Sequence, residues 1–239
     1  MRQVFLSVLV CASLSAELAA GTGSTPPVAA PDPTPGPTPS AAEPAPIGPE
    51  SVWNPPADFN EKFRAACARL EGTAFSDCFV AQMAKAGAPP PAVAFARRVN
   101  GMGFARTFHD AGRVDLVWAE YPYRANENRV CLIVNGDPPL LDIDDVSRID
   151  QAELARNPIW ASLLQRHPKA AIFPANREDT TRPGVQRIAG GGTTFTAGYE
   201  VHDGCHACAV IATMRVLWRF DAAGRFLGTE IKSIRRGRR

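Results

Sequence analysis

No apolar run in this 239-residue chain reaches the ~18–20 residues a membrane-crossing helix needs, so no transmembrane span is expected. Neither sign of charge is in excess. Lys and Arg number 26 against 24 Asp and Glu, and the formal charge of +2 argues against a dedicated nucleic-acid partner. The common catalytic signatures are missing: there is no G-x-S-x-G, no H-E-x-x-H, no G-x-G-x-x-G and no phosphate loop. Six cysteines are too few for a small disulfide-framework scaffold. What the chain does have is 45% hydrophobic and 21% charged residues, enough to bury a core.

The N-terminus reads as a leader for export. Arg2 supplies a positive start, Val4–Leu14 an apolar stretch too short to span a bilayer, and Ser15, Ala16, Ala19 and Ala20 the small residues of a cleavage region. Residues 1–20 are therefore expected to be a signal peptide, and the mature chain periplasmic or secreted. Cys11 opens an alternative, a lipoprotein anchored there, although Val10 stands where a smaller residue is usual. In an oxidising compartment paired thiols persist as disulfides. Cys67, Cys78, Cys131, Cys205 and Cys208 remain in the mature chain, an odd set.

Residues 21–56 read as a Pro/Ala-rich disordered linker, because 12 of the 22 prolines lie between Pro26 and Pro56. A single domain is expected over 57–234, followed by a basic tail over 235–239. That tail reads as a solvated end, or as a weak anchor to an anionic lipid or polymer. Asp58 with Glu61 resembles a capping box, and Phe59, Phe63, Cys67 and Leu70 then share one helical face. A second helix is expected over 76–86 and a third over 92–99, behind Pro89, Pro90 and Pro91. Cys67 and Cys78 fall on consecutive helices and are expected to form a structural disulfide.

From Phe104 the apolar period drops to two. Strands are expected over 104–109, 114–121 and 129–134, with a short one near 139–143. Asp150 with Glu153, and Asn157 before Pro158, start two helices, and 174–192 reads as loop. Val210, Ala212, Met214, Val216, Trp218 and Phe220 then make one unbroken apolar strand face. The fold class expected is α+β: N-terminal helices packed on an antiparallel sheet or meander, with a helical insertion.

One segment concentrates chemistry. His202-Asp203-Gly204-Cys205-His206-Ala207-Cys208 holds two of the four histidines. A Cys205–Cys208 bridge would staple the Asp203-Gly204 turn, which is the leading expectation. It leaves Cys131 as a thiol inside an apolar strand. Alternatively, Cys205 and Cys208 form a redox dithiol with His206 beside it. A third reading makes His202, Cys205, His206 and Cys208 ligands for zinc or copper, with another histidine completing the shell. Haem attachment fails, since Ala209 stands where C-x-x-C-H needs histidine.

Tyr121, Tyr123, Arg124, Asn126 and Asn128 form an aromatic, polar loop between strands, a candidate binding surface that reads by default as a long hairpin loop. Asp137, Asp142, Asp144 and Asp145 lack calcium-loop spacing and read as a turn into a helix.

The run Arg124–Asn128, the turn Val134-Asn135-Gly136, the Asp203–Cys208 hairpin, Phe220-Asp221 and Phe226-Leu227-Gly228 together resemble a family of uncharacterised bacterial exported proteins. The resemblance covers roughly 58–234. It implies a bacterial, periplasmic setting and supplies no catalytic residue. The expected function is a non-enzymatic envelope or secreted protein that binds another envelope protein or a small ligand, without a cofactor. The alternative is a metal-binding or thiol-redox protein acting through the His202–Cys208 hairpin.

Overall fold

The structure is a computed structural model, and it describes residues 45–124, 128–175 and 181–237. The signal peptide, Cys11, linker residues 21–44, Asn126 and the last two arginines lie outside the described residues. The chain divides into Met1–Glu43 and Pro44–Arg239, and every described residue belongs to the second unit.

Three helices come first: α1 (Phe59–Cys67), α2 (Gly72–Lys85) and α3 (Pro90–Arg98). Proline at the first helical positions starts α3, where a missing N–H costs nothing. α2 begins four residues ahead of the expected start, at Gly72. Asp58 precedes α1 without capping it; its carboxylate pairs with Lys62 at 2.7 Å instead, so no capping box forms.

Four strands follow, β1 (Phe104–His109), β2 (Asp115–Glu120), β3 (Arg129–Val134) and β4 (Leu140–Asp142), in an antiparallel sheet of order β1-β2-β3-β4. The helical insertion is α4 (Gln151–Arg156) and α5 (Pro158–Arg166). Asp150 caps α4 by accepting from Glu153 N–H, and Asn157 caps α5 by accepting from Ile159 and Trp160. A second antiparallel sheet holds β5 (Ala171–Pro174), β6 (Gly184–Arg187), β7 (Thr193–His202), β8 (Val210–Phe220) and β9 (Phe226–Arg236). Its order is β5-β7-β8-β9, with β6 also on β7.

The α+β expectation holds, with the strands divided between two sheets. Packing explains the division. Leu116 and Trp118 of β2, with Cys131 and Ile133 of β3, join Phe195, Tyr199, Met214 and Trp218 of the second sheet in one buried cluster. Val117 and Ala119, with Leu132 and Val134, pack instead with Phe95 and Val99 around α3. The first sheet is thus buried on both faces, which is why β3 reads as continuous rather than alternating apolar sequence. A third cluster sits among the helices, where Trp53, Phe59, Phe63, Phe79 and Met83 enclose Cys67. Full burial of such side chains stabilises by ~1.5–3 kcal/mol each.

Three further boundaries differ from expectation. The linker drawn to residue 56 ends earlier, since Ile47, Ser51 and Trp53 are buried and Val52 bridges Ala105. The stretch read as loop over 174–192 contains β6, an exposed edge strand with no buried face to give it an alternating pattern. The basic tail drawn from residue 235 starts later, because β9 continues through Arg236, which pairs with Ala212.

The insertion also covers an edge. Ile231 N–H on β9 donates to Glu153 Oε2 at 2.9 Å, and Thr229 Oγ1 accepts from Asp150 N–H at 2.8 Å. The Ile231 amide, which would otherwise be open to another strand, is thereby occupied by α4, and the Thr229 side chain ties the segment before α4 to the same edge. No helix among the described residues is long and apolar enough to cross a membrane.

Candidate functional site

The hairpin joining β7 to β8 gathers the chemistry-bearing residues. Asp203 N–H donates to Ala209 C=O and Cys208 N–H to Cys205 C=O, closing the turn. Gly204 sits at φ +102°, a backbone state that L side chains rarely adopt, which fixes glycine there. Cys205 and Cys208 form a disulfide with Cα atoms 5.0 Å apart, and Cys67 and Cys78 form another at 5.9 Å. Cys131 is a buried thiol on β3. The two disulfides differ in setting. Cys67 is enclosed by the helical core, whereas Cys205 is exposed.

His202 ends β7 and is buried. Its Nδ1 lies 3.1 Å from Cys208 C=O and its Nε2 3.2 Å from Glu200 Oε2, so both ring nitrogens face oxygens. His206 is exposed and stacks on His202, with centroids 5.6 Å apart and planes 9° from parallel. Phe173 of β5 sets its edge against both imidazoles. His167, just past α5, holds Asp203 Oδ2 at 3.0 Å. Three of the four histidines therefore meet at one end of the second sheet, two of them engaged in holding the hairpin.

That arrangement does not build the zinc or copper shell considered for His202, Cys205, His206 and Cys208. Both sulfurs are in the disulfide and both His202 nitrogens are engaged. Among the described residues no three His, Cys, Asp or Glu side chains stand as a metal-binding group.

The aromatic loop lies between the antiparallel strands β2 and β3, as its default reading expects. Tyr121 is buried in the cluster around α3, with the Arg124 guanidinium 4.0 Å above its ring. Burial, helped by the Asp142 charge and opposed by Arg124, pushes its phenol up to about 12. Tyr123 packs 4.3 Å from Phe63 and against Phe75 and Phe79, and burial pushes its phenol up to about 12 as well. Its buried hydroxyl finds no hydrogen-bond partner among the described residues. Both rings pack on the core and anchor the loop there. Arg124 and Asn128 remain exposed. In the acidic run, Asp145 caps a 3₁₀ turn over Val146–Arg148, as a turn into a helix requires. Burial raises the Asp142 carboxyl.

Beside the hairpin lies a feature the sequence did not disclose. A pocket of about 520 Å³ opens between the end of α5 and the β8–β9 end, lined by Leu163, Arg166, His167, Val210, Ile211 and Arg236, with Gly237. Arg166 Nε donates to Ser162 C=O at 3.2 Å, and Arg236 Nη2 donates to Ser162 Oγ at 2.8 Å. One residue of α5 thus tethers two guanidiniums that lie far apart in sequence. The only signal for this in the sequence was the cluster of basic residues after Lys232. Compared with family models, with curated proteins and with solved structures, the chain finds no match.

Proposed function

We propose that this chain is an exported bacterial protein, periplasmic or secreted, whose folded domain binds a ligand without turning it over. The observation that carries the reading is the contrast at the end of the second sheet. The hairpin's own groups are engaged in structure: Cys205 in a disulfide, His202 in two polar contacts, Asp203 with His167. The pocket directly beside them is open. The leader-like N-terminus, the two disulfides and the resemblance to exported bacterial proteins support export.

Two measurements test it. Expression of the full chain in a Gram-negative host, followed by mass analysis, should give a mature N-terminus that has lost roughly the first 20 residues. Retained Met1, or a diacylglyceryl group on Cys11, overturns the soluble exported form. A thermal-shift screen of the purified protein against small anions, cations and neutral molecules should find a class that raises Tm. A flat screen, or hydrolysis or transfer detected on a compound that binds, overturns the binding reading.

The exposure of Cys205 supports a second reading, thiol–disulfide exchange. An incoming thiolate would attack one sulfur, form a mixed disulfide and release the other as a thiolate. Equilibration in glutathione buffers separates the two. A midpoint above about −250 mV supports exchange, and one below about −300 mV supports a staple.

A further inference from the structure

We infer that the pocket between α5 and the β8–β9 end is a binding site for a small organic carboxylate, a deepening that rests on the binding reading above. Three observations carry it. The first is charge of one sign: Arg166 and Arg236 line the pocket, and His167 beside them already holds Asp203. Among the described residues no carboxylate pairs with either arginine; the acids of the hairpin end, Asp203 and Glu200, are committed to His167 and His202.

The second is preorganisation. Ser162 receives one N–H from each guanidinium, Nε of Arg166 on its carbonyl and Nη2 of Arg236 on its hydroxyl. The ordering of two long side chains, a cost that an unanchored pair would meet on binding, is therefore largely met in advance. A guanidinium carries several donors in a planar fork, so each keeps N–H groups beyond the one given to Ser162. Two such forks suit the two oxygens of a carboxylate.

The third is the apolar floor. Leu163 is a buried lining residue, Ile211 is half-buried, and Val210 is 44% exposed although it opens the best-patterned strand of the fold. A bare inorganic anion leaves Val210 in water. An aliphatic body attached to the carboxylate covers it, at ~25 cal/mol per Å². The volume, about 520 Å³, lies within the ~300–1,000 Å³ range of small-molecule sites.

The test is isothermal calorimetry on the full oxidised protein with hexanoate, and with hexanamide, hexylammonium and inorganic phosphate as comparison probes. Hexanoate should bind best, with the amide and phosphate each at least roughly tenfold weaker. Arg166→Gln and Arg236→Gln should each weaken hexanoate by roughly tenfold to hundredfold. The conservative Arg236→Lys should recover only part of the loss, because it keeps the charge and removes the fork. Val210→Asp replaces the apolar floor with a carboxylate of the chain's own and should abolish binding while the fold, followed by circular dichroism, persists. Equal affinity for hexanoate and hexanamide overturns the carboxylate assignment and leaves the binding reading standing. Phosphate binding as tightly as hexanoate overturns the organic body. Hexanoate affinity unchanged in both glutamine variants overturns the site. If no probe binds while the wider thermal-shift screen finds another class, this inference fails alone; if that screen is also flat, the binding reading fails with it.

Discussion

The side chain of Asn135 holds both backbone polar groups of Ile47: its Oδ1 accepts the Ile47 N–H at 2.8 Å and its Nδ2 donates to the Ile47 C=O at 2.8 Å. The same Nδ2 lies 2.8 Å from Asp115 Oδ2. A residue that reads in sequence as a turn signal thus attaches the start of the folded chain to the end of β3. Asn135 also sits at φ +65°, which asparagine tolerates better than most residues. Asn135→Ala should cost about 2–4 kcal/mol in denaturant unfolding, from unmet groups at Ile47 and Asp115 and from the left-handed backbone. Asn135→Gly should recover only the backbone share. Equal stability of parent and alanine variant would refute this attachment.

Tyr199 ties the two sheets. From β7 its hydroxyl donates to Ile143 C=O, just beyond β4, at 2.6 Å and accepts from Trp218 Nε1 at 3.1 Å. Tyr199→Phe keeps the ring and strands two buried polar groups. The expected loss is about 2–4 kcal/mol, a Tm fall of roughly 5–15 °C for a domain of this size, with the denaturant m-value unchanged.

High pH should reveal all three tyrosines together. Burial raises the phenols of Tyr121 and Tyr123 to about 12 and that of Tyr199 further still, and the chain has 3 tyrosines. Unfolded phenols ionise near about 10. Between about 10 and 12 the folded state therefore keeps protons that the unfolded chain releases, so stability falls as pH rises through that window. Tyrosinate absorbance should appear in one cooperative step that coincides with loss of near-UV circular dichroism. A tyrosine that titrates near pH ~10 with the fold intact would contradict this.

How much of this was readable in advance depended on whether local pattern and tertiary role agreed. The alternation over Val210–Phe220 marks β8 because one face is buried and the other wet. The 4-residue spacing of Phe59, Phe63 and Cys67 marks α1 because those three residues are the buried ones. Asp150 and Asn157 mark caps because capping is a local bond. Where a long-range partner decides, the signal disappears. Ile47 sits in a Pro/Ala-rich stretch and is buried because it packs in the cluster with Phe95 and Val99 while Asn135, 88 residues away, takes its backbone. β6 forms on the edge of β7 with all its residues exposed. Tyr121 and Tyr123 read as part of an aromatic loop, and the packing of Tyr123 on Phe63 and Phe79 appears only in the fold. Arg236 reads as part of a basic tail, and its bond to Ser162 on α5, which also holds Arg166, appears only in the fold.

The cover over β9 should be separable from the stability of the domain. Glu153 and Thr229 both lie at the surface-facing edge, where they occupy backbone groups of β9 and of the segment before α4. Glu153→Ala with Thr229→Val removes those bonds and leaves a strand edge unpaired. Light scattering should show a concentration-dependent shift toward larger species relative to the parent. Glu153→Gln, which keeps an acceptor, should not shift. Identical scattering from all three proteins would mean the insertion does not guard the edge.

The two disulfides should differ both in what they stabilise and in how readily they yield to reductant. Cys67–Cys78 closes an 11-residue interval, worth roughly 3 kcal/mol by chain entropy, and Cys67 is fully buried between α1 and α2. Cys205–Cys208 closes only 3, worth roughly 2 kcal/mol, and Cys205 faces solvent. Under graded dithiothreitol, peptide mapping should find Cys205 and Cys208 alkylated first, with Cys131 protected until unfolding. Cys67→Ser with Cys78→Ser should lower stability more than Cys205→Ser with Cys208→Ser. The hairpin variant should keep much of its turn, since Asp203 N–H still reaches Ala209 C=O and His167 still holds Asp203. It should therefore retain hexanoate binding at the neighbouring pocket within a few fold. Earlier reduction of the Cys67–Cys78 pair, or a Cys131 link to Cys205 or Cys208, would overturn this pairing and recast the hairpin as a tie between distant strands.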